Sequence, residues 1–151
     1  MNRYVEYKKR KQAEFDKLPM KAAFGNKQFE QIMKEWGLTT SKEDLTKIHQ
    51  LGAGCYCLKK DYPLFLKLAC KHMEEDVEFF KDDDNLKSAF KYEFADHECG
   101  YTYTPQDALL ALPFTYKEVM TNKRLCRVFK KAWTEYIRDY NKINKNIRDI
   151  L

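Results

Sequence analysis

The segment 125-LCRVFKKAWTEYIRDY-140 decides the fold class. Leu125, Val128, Phe129, Ala132, Trp133, Tyr136, Ile137 and Tyr140 recur at steps of three and four, the period of one helix face. Ile143, Ile147 and Ile150 prolong that stripe, with a break expected across 141-NKINKN-146. Burying such a face contributes about 1.5–3 kcal/mol per large side chain before entropy is charged against it. A helix of this kind needs other helices to cover it, and the sequence supplies them.

Outward from it, 86-LKSAFKYEFADHE-98 sets Leu86, Phe90, Phe94 and His97 on one face, with 82-DDDN-85 as the cap and Cys99-Gly100 as the stop. Residues 62–80 carry a stripe of Tyr62, Phe65, Leu66, Ala69, Met73, Val77 and Phe80, with Pro63 in the first turn. Residues 3–17 show Tyr4, Tyr7, Lys11 and Phe15 at helical spacing before Pro19. Asn26 is read as the cap of 27-KQFEQIMKEW-36, which Gly37 ends. Ser41, with Asp44 three residues on, opens a short helix over 41–50. Thr104-Pro105 opens another over 105–112.

Alternating or short apolar runs predict strands near 20–24, 52–58 and 100–103. The expectation is a single domain over 1–151, helix-dominated α+β, with five or six helices around a few short strands. Gly (5) and Pro (4) are too scarce for a sandwich or barrel built on many turns.

The net charge of +5 is unevenly laid out. Residues 1–17 hold six basic and three acidic side chains and residues 122–151 hold nine and three. Residues 18–121 hold 13 basic and 17 acidic, so basic ends flank an acidic centre. No apolar run reaches the roughly 18 residues of a membrane span, and the basic N-terminus lacks an apolar core, so neither membrane nor export is expected. Five cysteines, an odd number without framework spacing, read as reduced thiols of an intracellular protein.

Chemistry-bearing residues concentrate in 92-YEFADHECGYTYTP-105. Nucleophilic catalysis needs a thiol beside an oriented base. His97 and Cys99 cannot meet locally unless the helix ends between them, although Glu93, four residues before His97, could orient its ring. Zinc sites favour C-x-x-C or H-x(3–5)-H, whereas Cys55/Cys57, Cys70/His72 and His97/Cys99 are each one residue apart. Cys70 and Cys126 are read as small core residues and Cys55 and Cys57 as half-buried strand residues. Asp82, Asp83 and Asp84 are read as capping acids. The 52-GAG-54 turn lacks the pattern of a phosphate loop. No catalytic residue, metal or cofactor is expected. Lys123, Arg124, Arg127, Lys130, Lys131 and Arg138 surround the apolar stripe of the last helix and are the candidate nucleic-acid contacts.

Three blocks, 22-AAFGNKQFEQIMKEWGL-38, 48-IHQLGAGCYCLKKD-61 and 91-KYEFADHECGYTYTPQDALLAL-112, resemble a family of small uncharacterised proteins of bacteria, their phages and conjugative elements. The resemblance covers much of 20–112 and brings no activity with it. It marks Gln28, Phe29, Gly52, Gly54, His97, Glu98 and Asp107 as family positions, and implies that Cys55 and Cys99 stand where the family tends to carry Gly or an aromatic residue. It also implies a mobile-element context and the cytoplasm of a bacterial host. The expected function is a small non-enzymatic binding protein of phage or mobile-element type that contacts a host or phage protein and modulates a host process such as defence. His97, Glu98, Gly52 and Gly54 are its candidate surface. Nucleic-acid binding through the last helix is the alternative.

Overall fold

The computed structural model describes residues 2–150 and is a helix-dominated α+β structure. Contacts divide the chain into two compact units, one of residues 9–73 and one of residues 1–8 with 74 onwards. The division falls inside α1 (Arg3–Asp16) and inside α4 (Tyr62–Phe79).

The unit of residues 9–73 holds the sheet. β1 (Lys21–Ala22), β2 (Ile48–Gly52) and β3 (Cys55–Leu58) form an antiparallel sheet in the order β1-β3-β2. Ile48 faces Leu58, and Lys21 faces Tyr56. α2 (Asn26–Glu35) buries Ile32 and Met33, and Phe29 meets Tyr56 of β3 at 5.1 Å between rings. Gly25, rather than Asn26, is its N-cap, and Gly37 at φ 71° ends it as expected.

The expectation over 41–50 fails. The helix read over 41–50 is one turn only, α3 (Lys42–Leu45), and residues 48–52 are a strand. Ser41 accepts from Asp44 N–H at 3.2 Å, but the Asp44 carboxylate turns to Thr39 and Lys47 instead of closing the capping box. One turn of helix is marginal alone, while Ile48 onwards gains a ladder with β3. The expected strand at 52–58 is therefore the second arm of a hairpin whose turn is 52-GAG-54, with Ala53 and Gly54 at φ 50° and 75°. A side chain at Gly54 would meet the Phe24 ring at 2.8 Å and Ala23 O at 3.0 Å.

In the other unit, α5 (Asp83–Asp96) packs on α8 (Lys123–Ile150). Phe90 and Phe94 lie edge-on to Phe129 at 5.1 and 5.4 Å, and Phe94 meets Trp133 at 5.1 Å. Leu86, Phe90 and Phe94 are fully buried, as their spacing predicts; Ala89, not read as part of that face, is fully buried too, and His97 is half-buried. α7 (Tyr116–Thr121), not foreseen, begins at a complete capping box of Thr115 and Glu118. Residues Pro105–Ala111 form a 3-10 segment where a small helix is expected. The expected break at 141–146 does not occur. The short helices lift the number above the five or six expected.

The expected stripe of α4 is corrected. Phe65 and Phe80 are buried, but Leu66 is 49% exposed, Met73 68% and Val77 67%. The half-buried side instead carries Leu68, His72, Asp76 and Phe79. In residues 9–73, His72 contacts Glu14 at 3.0 Å. In the other unit, Tyr7 donates to Asp76 and stacks on Phe79 at 4.1 Å. These polar partners rotate the helix away from its most apolar face. Cys70, read as core, is exposed, and Cys126 is half-buried.

Candidate functional site

α5 stops because Glu98 takes a left-handed conformation, φ 50° and ψ 32°, after His97 as C-cap. The chain re-enters a helical turn at once, α6 (Cys99–Thr102), which ends at Tyr103, also left-handed at φ 57°. Where a strand is expected at 100–103 there is thus a helix, and the expected stop at Cys99-Gly100 lies inside it. The reason is burial. Cys99 and Gly100 are buried, and a Cβ on Gly100 would sit 2.7 Å from the Tyr140 ring and 2.9 Å from the Tyr136 hydroxyl. Gly100 N–H donates to that hydroxyl at 3.3 Å. Two non-glycine left-handed residues cost roughly 1–2 kcal/mol each and persist because packing over-determines them.

This break opens a groove between α6 and α8. Ala95, Glu98 and Tyr101 form one wall and Tyr136, Asp139, Tyr140 and Ile143 the other. Tyr101 is 81% exposed and Ile143 61%. The Tyr136 and Tyr140 rings are 6.0 Å apart. Asp139 lies 3.7 Å from Lys91 and 3.5 Å from Arg138. The groove therefore combines aromatic faces with two carboxylates.

The last turn of α5 also carries a buried carboxylate. Glu93, fully buried, accepts at Oε1 from the Tyr4 hydroxyl at 2.6 Å and from Lys8 at 2.7 Å. Lys8 also covers the Tyr4 and Tyr92 rings at 5.3 and 5.0 Å. An isolated buried carboxylate costs several kcal/mol, so these partners are what the burial requires. His97 Nδ1 is 3.0 Å from the Glu93 carbonyl and 3.5 Å from Glu93 Oε2, and Oε2 has no hydrogen-bond partner among the described residues. The imidazole N–H serves the backbone, which leaves Oε2 an ion-pair distance away but unbonded.

Of the candidates read from sequence, His97 and Glu98 lie at this break. Gly52 and Gly54 form the hairpin turn in the other compact unit. Cys55 and Cys57 also belong there, while Cys99 is in the unit of His97. Burial pushes the Cys57 and Cys99 thiols up from the ordinary range, which disfavours thiolate chemistry. Asp82 caps α5, accepting from Asp84 and Asn85 N–H at 2.8 and 2.9 Å. Asp83 pairs with Arg124 and Arg127, both at 2.7 Å, and Arg124 also donates to the Phe80 and Lys81 carbonyls at 2.7 Å. Those two arginines are thus engaged within the fold. Lys123, Lys130, Lys131 and Arg138 are exposed. Sequence reasoning missed Tyr4, Tyr101, Tyr136, Asp139 and Tyr140 as site residues. Only Glu93 announced itself, through its four-residue spacing to His97.

A family model of unknown function, DUF7659, matches residues 3–135. The chain belongs to that family. The match includes Tyr4, Lys8, Glu93, His97, Glu98 and Tyr101, while the α8 wall of the groove, Tyr136 to Ile143, lies beyond it. The DUF7659 family carries no assigned activity, in line with the uncharacterised family expected from the sequence blocks. Nothing among curated proteins and nothing among solved structures matches the chain. Among the described residues no helix is long and apolar enough to cross a membrane.

Proposed function

We propose that this chain is a non-enzymatic docking protein whose groove between α6 and α8 takes a basic side chain from a segment of a partner protein. The observation that carries the reading is the meeting of three tyrosines, Tyr101, Tyr136 and Tyr140, with Glu98 and Asp139. Aromatic faces attract a cation through their quadrupole, and carboxylates attract it by charge. Lysine and arginine suit this lining because their stems are apolar and their heads charged. The motif resemblance extends the proposal to a phage or mobile-element protein that modulates a host process such as defence, in the cytoplasm of a bacterium.

The test is fluorescence anisotropy with a labelled helical peptide bearing lysines and arginines, against the same peptide with glutamates in their place. The basic peptide is expected to bind, more weakly as salt rises. Glu98→Gln and Tyr101→Ala, both at exposed positions, are expected to weaken binding severalfold. Equal binding of both peptides, or indifference to both variants, overturns the reading. So does a hydrolase or transferase activity lost in a folded His97→Ala variant. The rival, nucleic-acid contact through Lys123, Lys130, Lys131 and Arg138, is weakened by the hold of Asp83 on Arg124 and Arg127. Salt-dependent duplex binding tighter than about 100 μM would favour that rival instead.

A further inference from the structure

We propose that the last turn of α5 is a divalent-metal site in which Glu93, Asp96 and His97 hold a zinc-class ion. Their spacing of i, i+3 and i+4 puts the three side chains on one helix face. One ligand atom from each lies within 4.8 Å of the other two. A second observation points to a ligand independently of the cluster. Glu93 is fully buried, and its Oε2 is the buried side-chain oxygen without a hydrogen-bond partner among the described residues. Tyr4 and Lys8 both bind Oε1, so the carboxylate is oriented through one oxygen while the other lies 3.5 Å from His97 Nδ1; ligation through that nitrogen would displace the proton it donates to the Glu93 carbonyl.

The position also calls for a cation. The C-terminal end of a helix carries partial negative charge, and cations are stabilised there. α5 has no basic residue in its last turn, yet Glu93, Asp96 and Glu98 crowd its end. Lys8, from α1, supplies one positive charge against three carboxylates. A divalent ion would bond Oε2, offset the remaining charge and favour the helix end together. One imidazole nitrogen with two carboxylate oxygens is a donor set for zinc, cobalt or manganese rather than for calcium or magnesium. None of the five cysteines takes part, so the site is unrelated to their unpromising spacing.

The experiment titrates the full chain with Zn²⁺ in competition with a chromophoric chelator, and with Co²⁺ followed by its visible absorption. Saturation at one ion per chain is expected. Asp96→Asn and His97→Ala should each weaken binding by about tenfold or more. His72→Ala, in the other compact unit, should leave it unchanged. Asp96 is exposed, so its variant is expected to keep the fold, which circular dichroism checks. Zn²⁺ should raise the Tm of the wild type but not of Asp96→Asn. Failure to saturate at one ion per chain overturns the site, as does equal affinity in both ligand variants or loss of binding in His72→Ala.

Discussion

Tyr4 donates its hydroxyl to Glu93 at 2.6 Å across 89 positions of sequence, and so ties the first turn of α1 to the last turn of α5. Lys8 completes the contact one turn later. Removing the donor leaves a buried carboxylate with one partner on that oxygen. Tyr4→Phe is expected to lower stability by about 1–3 kcal/mol in urea denaturation. Burial and the bond to Glu93 push the Tyr4 hydroxyl far above the ordinary 10.0. The folded protein keeps that proton where the unfolded chain loses it. Its contribution is thus complete below pH 10 and is lost as pH rises beyond. Tyr4→Phe should flatten the alkaline limb of a Tm-against-pH profile, and an unchanged limb would contradict the assignment.

Glu14 contributes to the acid limb. Hydrogen bonds from Lys71 first, then His72 and Arg10, bring its carboxyl down to about 2 from 4.5. Its contribution is present above pH 4.5 and fades as pH falls toward 2. Glu14→Gln should make thermal stability less pH-dependent across that window. Because its partners Arg10 and Lys71 are exposed, the same difference should shrink in high salt.

Arg124 closes the end of α4. Its guanidinium donates to the Phe80 and Lys81 carbonyls and to Asp83. Arg124→Ala is expected to cost about 1–3 kcal/mol in chemical denaturation. Arg124→Lys should recover only part of this, since an ammonium lacks the planar fork. Arg127→Ala, at a residue 68% exposed that pairs with Asp83, should cost under about 1 kcal/mol.

The hairpin turn gives opposite signs at neighbouring positions. Ala53 sits at φ 50°, so Ala53→Gly should stabilise by up to about 1 kcal/mol. Gly54→Ala should destabilise by more, because a Cβ there meets Phe24 and the Ala23 carbonyl at 2.8 and 3.0 Å. Melting curves of the two variants check the pair.

Local chemistry was legible where it acts locally. The α8 face over Leu125, Val128, Phe129 and Ala132, the buried Leu86, Phe90 and Phe94, the Asp82 cap and the Gly37 stop all follow from period and capping, whereas Ile143, Ile147 and Ile150, read as prolonging the α8 stripe, are exposed. Thr115 and Glu118 carried an equally clear box signal that the sequence reading passed over. Misreadings arose where a short segment had two local choices. Residues 48–50 fit a helix until β3 offers a ladder, and 100–103 alternate like a strand until Gly100 is pressed against Tyr136 and Tyr140.

The sequence by itself determined the helix-dominated class and the main packing face, because a hydrophobic period survives whatever surrounds it. Tertiary structure alone decided which face of α4 turns inward, where β2 begins and which side chains meet at the end of α5. Those outcomes depend on partners dozens of residues away, such as Tyr4 for Glu93 and Asp83 for Arg124. No local pattern encodes such distances, because pairing energy is gained only after the chain has closed the loop between them.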